Sequence, residues 1–210
     1  MLQILNASGL EYWFMDEHKG ICCGRPLKQT GQVEAAQKLI AANEHLILES
    51  GAQLLVTSCP ICYKIFNEEY HLPNVQIMHH TQFIDSLIKK GNIEIEISDR
   101  KMVYHDPCEL GRGSGIYDQP REVLRLAGEL LAIGNEKNKA DCCGGSISNL
   151  MISTADRRKI SARAVQPYAQ TGADTLVTSC PLCKRTFAET GAMPVLDVAE
   201  IVAHSMVQSI

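Results

Sequence analysis

From Val33 through Ala36, Ile40 and Ile47 to Gly51, apolar residues recur near helical spacing and predict an amphipathic helix. QLLVT, Gln53 to Thr57, follows as a short, nearly apolar strand, and the CPIC turn then opens a helix. Val75 to Met78 predicts another strand, and Thr81 can cap a helix carrying Phe83, Ile84, Leu87 and Ile88. Upstream, Leu10 to Met15 reads as a strand leading into ICCG.

The same rhythm returns further along. Lys101 to His105 predicts a strand ending near Cys108, and Pro120 suits the first turn of a helix. Leu130 to Ile133 reads as a strand, and Ile147 to Thr171 as mostly helical, with Pro167 a kink or break. Thr175 to Thr178 is a strand, and Val198 to Val207 a final helix. Strands alternating with helices predict an α/β fold of two pseudo-symmetric domains, each a small, largely parallel sheet flanked by helices. Gly91 to Arg100 alternates apolar and charged residues and marks the boundary, as an edge strand or a crossover, between residues 1–97 and 98–210.

Composition sharpens this little. At 45% hydrophobic and 21% charged, the 210 residues suffice for a proper core, and disorder is not expected. A net charge of −4 without a basic stripe argues against a nucleic-acid partner. The opening residues lack the basic and apolar regions of a signal peptide, and no stretch reaches the roughly 20 apolar residues of a membrane span. The expectation is a soluble, cytoplasmic protein that could still dock on a membrane-bound partner.

The nine cysteines carry the chemistry. Cys22 and Cys23 in ICCG recur as Cys142 and Cys143 in DCCG. Cys59 and Cys62 in LLVTSCPIC recur as Cys180 and Cys183 in TLVTSCPLC. The offsets agree, since 142 minus 22 is 120 and 180 minus 59 is 121. Two motifs at one common offset mark a duplication. Cys108, in YHDPC, lies 142 minus 108, or 34, positions before the second vicinal pair. Its counterpart in the first copy falls at 22 minus 34, or −12, which predicts a longer parent protein.

An odd number of cysteines in neighbouring pairs suits a disulfide framework poorly and metal or redox chemistry well. In CxxC, two thiolates at a helix entry can address one centre, and the helix N-terminus favours their charge. Pro60 and Pro181 pre-set the first helical φ. Neighbouring residues of an extended segment point to opposite sides, so a vicinal pair seldom serves one tetrahedral ion but can serve different irons of a cluster. Gly24 and Gly144 let backbone approach the sulfurs closely. The second copy offers five thiolates where a structural zinc takes four. Zinc sites, a thioredoxin-like dithiol exchanger and simple buried cysteines are the competing readings.

The pattern C-x33-CC-x36-C-x2-C, anchored by YHDPC, CCGG and TSCPLC, resembles the CCG (cysteine-rich) domain. That domain occurs in the B and D polypeptides of heterodisulfide reductase and in a component of an unusual succinate:quinone reductase. It also occurs in iron–sulfur subunits of glycolate oxidase, lactate utilisation and anaerobic glycerol-3-phosphate dehydrogenase. The resemblance covers nearly the whole chain. It implies two domains able to hold [4Fe–4S] clusters, which in heterodisulfide reductases are non-cubane and bound by five cysteines. Carried over by motif, one site is Cys108, Cys142, Cys143, Cys180 and Cys183. The other is Cys22, Cys23, Cys59 and Cys62 with one further ligand. The implied activity is an oxidoreductase that cleaves a disulfide between two facing clusters, each delivering one electron. Partners would be flavin- or iron–sulfur-containing oxidoreductase subunits. The alternative is an electron-transfer module linking a flavin dehydrogenase (lactate, glycolate or glycerol-3-phosphate) to a quinone or other carrier; a zinc-stabilised interaction protein ranks lower.

Other polar residues give weaker signals. His105 could relay protons or hydrogen-bond a cluster sulfur, though shaping the strand-end loop is the plainer reading. His79 and His80 read as solvent-facing or capping, and His18, His45, His71 and His204 carry no signal. Arg25, Lys28, Arg112, Lys184 and Arg185 flank the cysteine motifs, where they could offset cluster charge, guide an anionic substrate or form a solvated fringe. GRGSG fits no nucleotide-binding motif and reads as a flexible turn.

Overall fold

The computed structural model describes residues 1–17, 20–145 and 151–207. Its first half runs α1 (Leu2–Ser8), α2 (Arg25–Gln29), α3 (Val33–Glu49), β1 (Leu54–Thr57), α4 (Pro60–Glu69), β2 (Gln76–His79) and α5 (His80–Lys89). The second runs β3 (Lys101–His105), α6 (Asp118–Ala127), β4 (Glu129–Leu131), α7 (Thr154–Ala169), β5 (Thr175–Thr178), α8 (Pro181–Ala188), β6 (Val195–Asp197) and α9 (Val198–Ser205), with a 3-10 turn at Lys137–Lys139.

The strands form two all-parallel sheets. β1 pairs with β2, and the second sheet has the order β4-β3-β5-β6. β3 and β5 occupy its centre, and both are apolar where they are covered: Met102, Val103, Leu176 and Val177 are fully buried. The duplication is visible in space. β1 and β5 start at 54 and 175, and α4 and α8 at 60 and 181, both 121 residues apart. β1-β2 therefore matches β5-β6, each first strand being followed by the helix that its cysteine motif opens.

The main apolar cluster joins the halves. Ile4 of α1, Phe83 and Ile84 of α5, Val123 and Leu124 of α6, and Ile201 and Val202 of α9 pack together in it. A buried polar strut crosses the same seam, where His80 Nε2 lies 2.9 Å from Asp197 Oδ1. His79 and Asp197 hold matching posts, each closing a capping box at the start of α5 and α9.

Several expectations change. Leu10 to Met15 is not a strand, because no neighbouring strand receives it; Leu10, Tyr12, Trp13 and Phe14 stay exposed. His79, not Thr81, caps α5, its ring accepting from Thr81 N–H. His79 and His80 are fully buried rather than solvent-facing. The helix expected over 147–171 runs Thr154–Ala169, with Pro167 in its last turn, where it neither breaks nor ends the helix. Residues 147–150 and His18 lie outside the described residues. The 91–100 segment is a connection, touching Met206 through one antiparallel bridge at Ile95. GRGSG is packed at its start and open at its end: a Cβ on Gly111 would sit 2.5 Å from the Tyr117 ring and one on Gly113 2.7 Å from the Glu109 carbonyl oxygen, while Gly115 turns the exposed chain at φ +71°. Among the described residues no helix is long and apolar enough to cross a membrane.

Candidate metal centre

Parallel pairing sets the site. Register places His105 of β3 beside Thr178 of β5, so the segments leaving both strands emerge side by side. Asp106 and Pro107 lead from one to Cys108, while Ser179 leads from the other to Cys180, the N-cap of α8. Cys183 follows in the first turn of α8. Cys142 and Cys143 arrive on the segment ahead of α7, turned by Gly144 at φ +84°. The structure thus brings all five sequence-predicted cysteines of the second copy into one chain of thiol contacts. Cys108 neighbours Cys142, Cys142 neighbours Cys143, Cys143 neighbours Cys183, and Cys183 neighbours Cys180.

Their protonation is shared out accordingly. Hydrogen bonds from the Cys108 and Cys143 thiols draw Cys142 down to about 2, with help from Gly144 N–H. Cys108 is pushed up because its thiol donates to Cys142, and Cys183 because it donates to Cys143 and Cys180 and is buried. Cys143, donating to Cys142, rises to about 12. Five clustered thiols cannot all ionise alone, since each new thiolate repels the last. A polycation removes that obstacle, and five sulfurs exceed what one tetrahedral zinc accepts. The donor set fits a polynuclear iron–sulfur cluster.

The first group is smaller and similarly linked. Cys22 contacts Cys23, Cys23 contacts Cys62, and Cys62 contacts Cys59. The Cys62 thiol, donating to both, draws Cys23 down to about 6 and Cys59 to about 7, and is itself pushed far up. Cys59 is the N-cap of α4, at the helix entry that the CxxC spacing predicts. Cys22 is exposed and Cys23 buried, the divergence expected of a vicinal pair. A support that the sequence did not announce holds this pair. Tyr70 O–H donates to the Cys23 carbonyl at 3.0 Å, and Asn43 Nδ2 donates to the Cys22 carbonyl at 3.0 Å.

The glycines after the vicinal pairs do more than admit sulfur. Both hold positive φ, and both press on the next helix: a Cβ on Gly144 would lie 3.0 Å from the Arg157 carbonyl, and one on Gly24 3.3 Å from Ile40. Gly144→Ala should therefore cost about 1–2 kcal/mol from the left-handed backbone alone, read as a fall in the thermal unfolding midpoint.

The flanking cations are already engaged. Arg25 faces Glu68 at 3.8 Å, Lys28 pairs with Glu69, Lys184 with Glu200, and Arg185 with Glu189 at 3.0 Å. Arg112 donates to the Ala140 carbonyl at 2.7 Å. Arg25 and Lys28 tie α2 to α4 and Lys184 ties α8 to α9, whereas the Arg185 pair lies along α8 itself.

One buried ion pair escaped the sequence. Asp106 and Arg121, both nearly fully buried, form a two-pronged ion pair at 2.6 and 2.7 Å. Arg121 also lies 5.0 Å over the Tyr104 ring, and Asp106 accepts the Lys137 N–H at 2.8 Å. His105, 1% exposed, sits against Tyr168 and Phe187. Burial lowers its pKa to about 4, so the imidazole is neutral at pH 7. Beside this group lies a shallow cleft lined by Cys108, Cys143, Cys180 and Cys183 and also by Pro60 and Ile61 of the first CxxC turn.

The cysteine-rich CCG domain model matches residues 1–67 and 102–188. The chain belongs to the CCG domain family. This CCG protein is 32% identical over 227 aligned positions to the D polypeptide of dihydromethanophenazine:CoB–CoM heterodisulfide reductase from Methanosarcina acetivorans, covering 97% of the chain and 54% of that relative. It is 26% identical to the EtfAB:quinone oxidoreductase of Syntrophomonas wolfei, covering 98% and 31% respectively. It is also 26% identical to the B polypeptide of fumarate reductase (CoM/CoB) from Methanothermobacter marburgensis, covering 88% and 37%. The CCG chain thus spans about half the length of the first relative and about a third of the others. Among solved structures, a putative Asp/Glu racemase from Yersinia pestis aligns over 96% of the chain and 86% of its own at a TM-score of 0.39 and 14% identity, too distant to inform function.

Proposed function

We propose that this chain is the cluster-bearing part of an iron–sulfur oxidoreductase of the heterodisulfide-reductase type. The observation that carries the reading is the convergence of five thiols at the ends of two adjacent parallel strands. Cys108, Cys142, Cys143, Cys180 and Cys183 would hold a non-cubane [4Fe–4S] cluster in the half formed by residues 98–210. Cys22, Cys23, Cys59 and Cys62 would hold a second cluster in residues 1–97. When bound, such clusters supply single electrons, and two of them match the two-electron cleavage of a disulfide.

The nearness of the two CxxC turns supports disulfide chemistry between two facing clusters. Pro60 and Ile61 share a cleft with Cys108, Cys143, Cys180 and Cys183, so the first CxxC turn stands beside the second thiol group. The partners would be flavin- or iron–sulfur-containing subunits, one of them able to reach a membrane. The nine free thiols suit the reducing cytoplasm.

Metal analysis of the anaerobically isolated protein tests this. Iron at roughly four to eight atoms per chain, with sulfide and a paramagnetic state on reduction, is the expected result. About two zinc ions and no iron would replace the reading with a structural zinc protein. Iron–sulfur protein that passes electrons from a reduced flavoprotein to a quinone, yet leaves every disulfide intact, would favour the electron-transfer reading.

A further inference from the structure

Among the described residues, one imidazole lies within ligand reach of the thiol groups. A ring nitrogen of His105 and the sulfurs of Cys143 and Cys183 all lie within 4.8 Å of one another, and all three residues are buried. The ring is held in place. Its Nδ1 lies 3.0 Å from the Tyr168 hydroxyl, and its edge meets Phe187 at a centroid distance of 4.7 Å and 81°. The buried Tyr168 hydroxyl can donate to that nitrogen. An imidazole whose Nδ1 accepts that hydrogen bond carries its own hydrogen on Nε2. With Nδ1 so engaged, Nε2 would be the nitrogen available to a sulfur.

We infer that His105 is a positioning residue whose Nε2–H donates a hydrogen bond to a sulfur of the cluster held by Cys143 and Cys183. The inference rests on the cluster reading above. Direct coordination is the less apt role, because five thiolates already surround the site. A hydrogen bond to a cluster sulfur stabilises the more negative, reduced state and so raises the reduction potential. Tyr168 acts one step back, by fixing the tautomer and the ring plane, as outer partners of ligand histidines commonly do. The first group has no such imidazole among the described residues. The two clusters would therefore differ in potential, and the second would accept an electron more readily.

The full chain, reconstituted anaerobically, allows two independent measurements. In the first, EPR-monitored redox titration compares wild type with His105→Phe and Tyr168→Phe. The expected result is a lower potential for the second cluster in His105→Phe, a smaller shift in the same direction in Tyr168→Phe, and full iron content in both. In the second, wild-type protein labelled with 15N-histidine is examined by pulsed EPR of the reduced state. A weak nitrogen coupling is expected; this measurement needs no variant and so does not depend on how His105→Phe folds. Full iron with an unchanged potential, or no histidine coupling in the wild type, overturns the inference while leaving the cluster reading intact. A strong coupling, or iron loss confined to His105→Phe with Tyr168→Phe fully loaded, overturns it in favour of direct ligation. Absence of any cluster in the wild type overturns both.

Discussion

Cys183→Ala is expected to remove about four iron atoms per chain and with them the spectrum of the second cluster. Cys183 is the pivot of the five-thiol group, in contact with both Cys143 and Cys180 and almost fully enclosed. Its loss severs Cys180 from the remaining three sulfurs, and no other donor among the described residues except His105 is close enough to replace it. Cys62→Ala, at the equivalent post in the first group, should spare that spectrum, because the chain of thiol contacts about Cys62 reaches only Cys22, Cys23 and Cys59. Iron quantitation and EPR of both variants, prepared anaerobically, check the pair. Unchanged iron in Cys183→Ala would mean that the buried sulfurs pack without binding. Cys108→Ala refines the result. If five sulfurs are needed, its spectrum changes; if four suffice, iron and spectrum both survive.

How far these groups could be read from the chain depended on what each signal rests on. The cysteine sets were readable because spacing and repetition are properties of the chain alone, and the two linked groups contain the same cysteines as the two motif copies. Lys101–His105 and Thr175–Thr178 were readable to the residue, since the central strands of a covered parallel sheet read as continuous apolar runs. Leu10 to Met15 has similar composition but no adjacent strand, and pairing is decided by tertiary context. The short helices α1 and α2 span seven and five residues, too few for a periodic pattern to declare itself. His79 and His80 look like surface histidines in sequence. They are buried because their strand ends where the halves meet, and the partner of His80 lies 117 residues away. Asp106 and Arg121 carried no mark at all, for an ion pair across a strand-end loop and a helix has no sequence period.

That ion pair should have the largest effect on stability. Asp106→Ala is expected to cost about 3–5 kcal/mol, because it leaves the Arg121 guanidinium buried without its carboxylate, its charge facing only the Tyr117 carbonyl at 3.0 Å and the longer contact to Glu136 at 3.6 Å. For a chain of this size that corresponds to a fall of about 6–20 °C in the thermal midpoint. The pair's net worth is a different quantity. Replacing both partners together, as Asp106→Leu with Arg121→Met, removes the two desolvation penalties along with the attraction, and should recover most of the loss. Stability is only half of what the pair does. Asp106 stands two residues before Cys108, and its second oxygen also receives the Lys137 N–H, so it ties the loop carrying Cys108 to the helix behind it. The double variant keeps the volume but drops that tie. It should therefore fold nearly as well as the wild type yet lose iron faster from the second site to a chelator, while the first site loses iron at its usual rate. Equal loss rates at the second site would mean that Pro107 and the packed glycine turn already hold Cys108, and that Asp106 serves the fold alone.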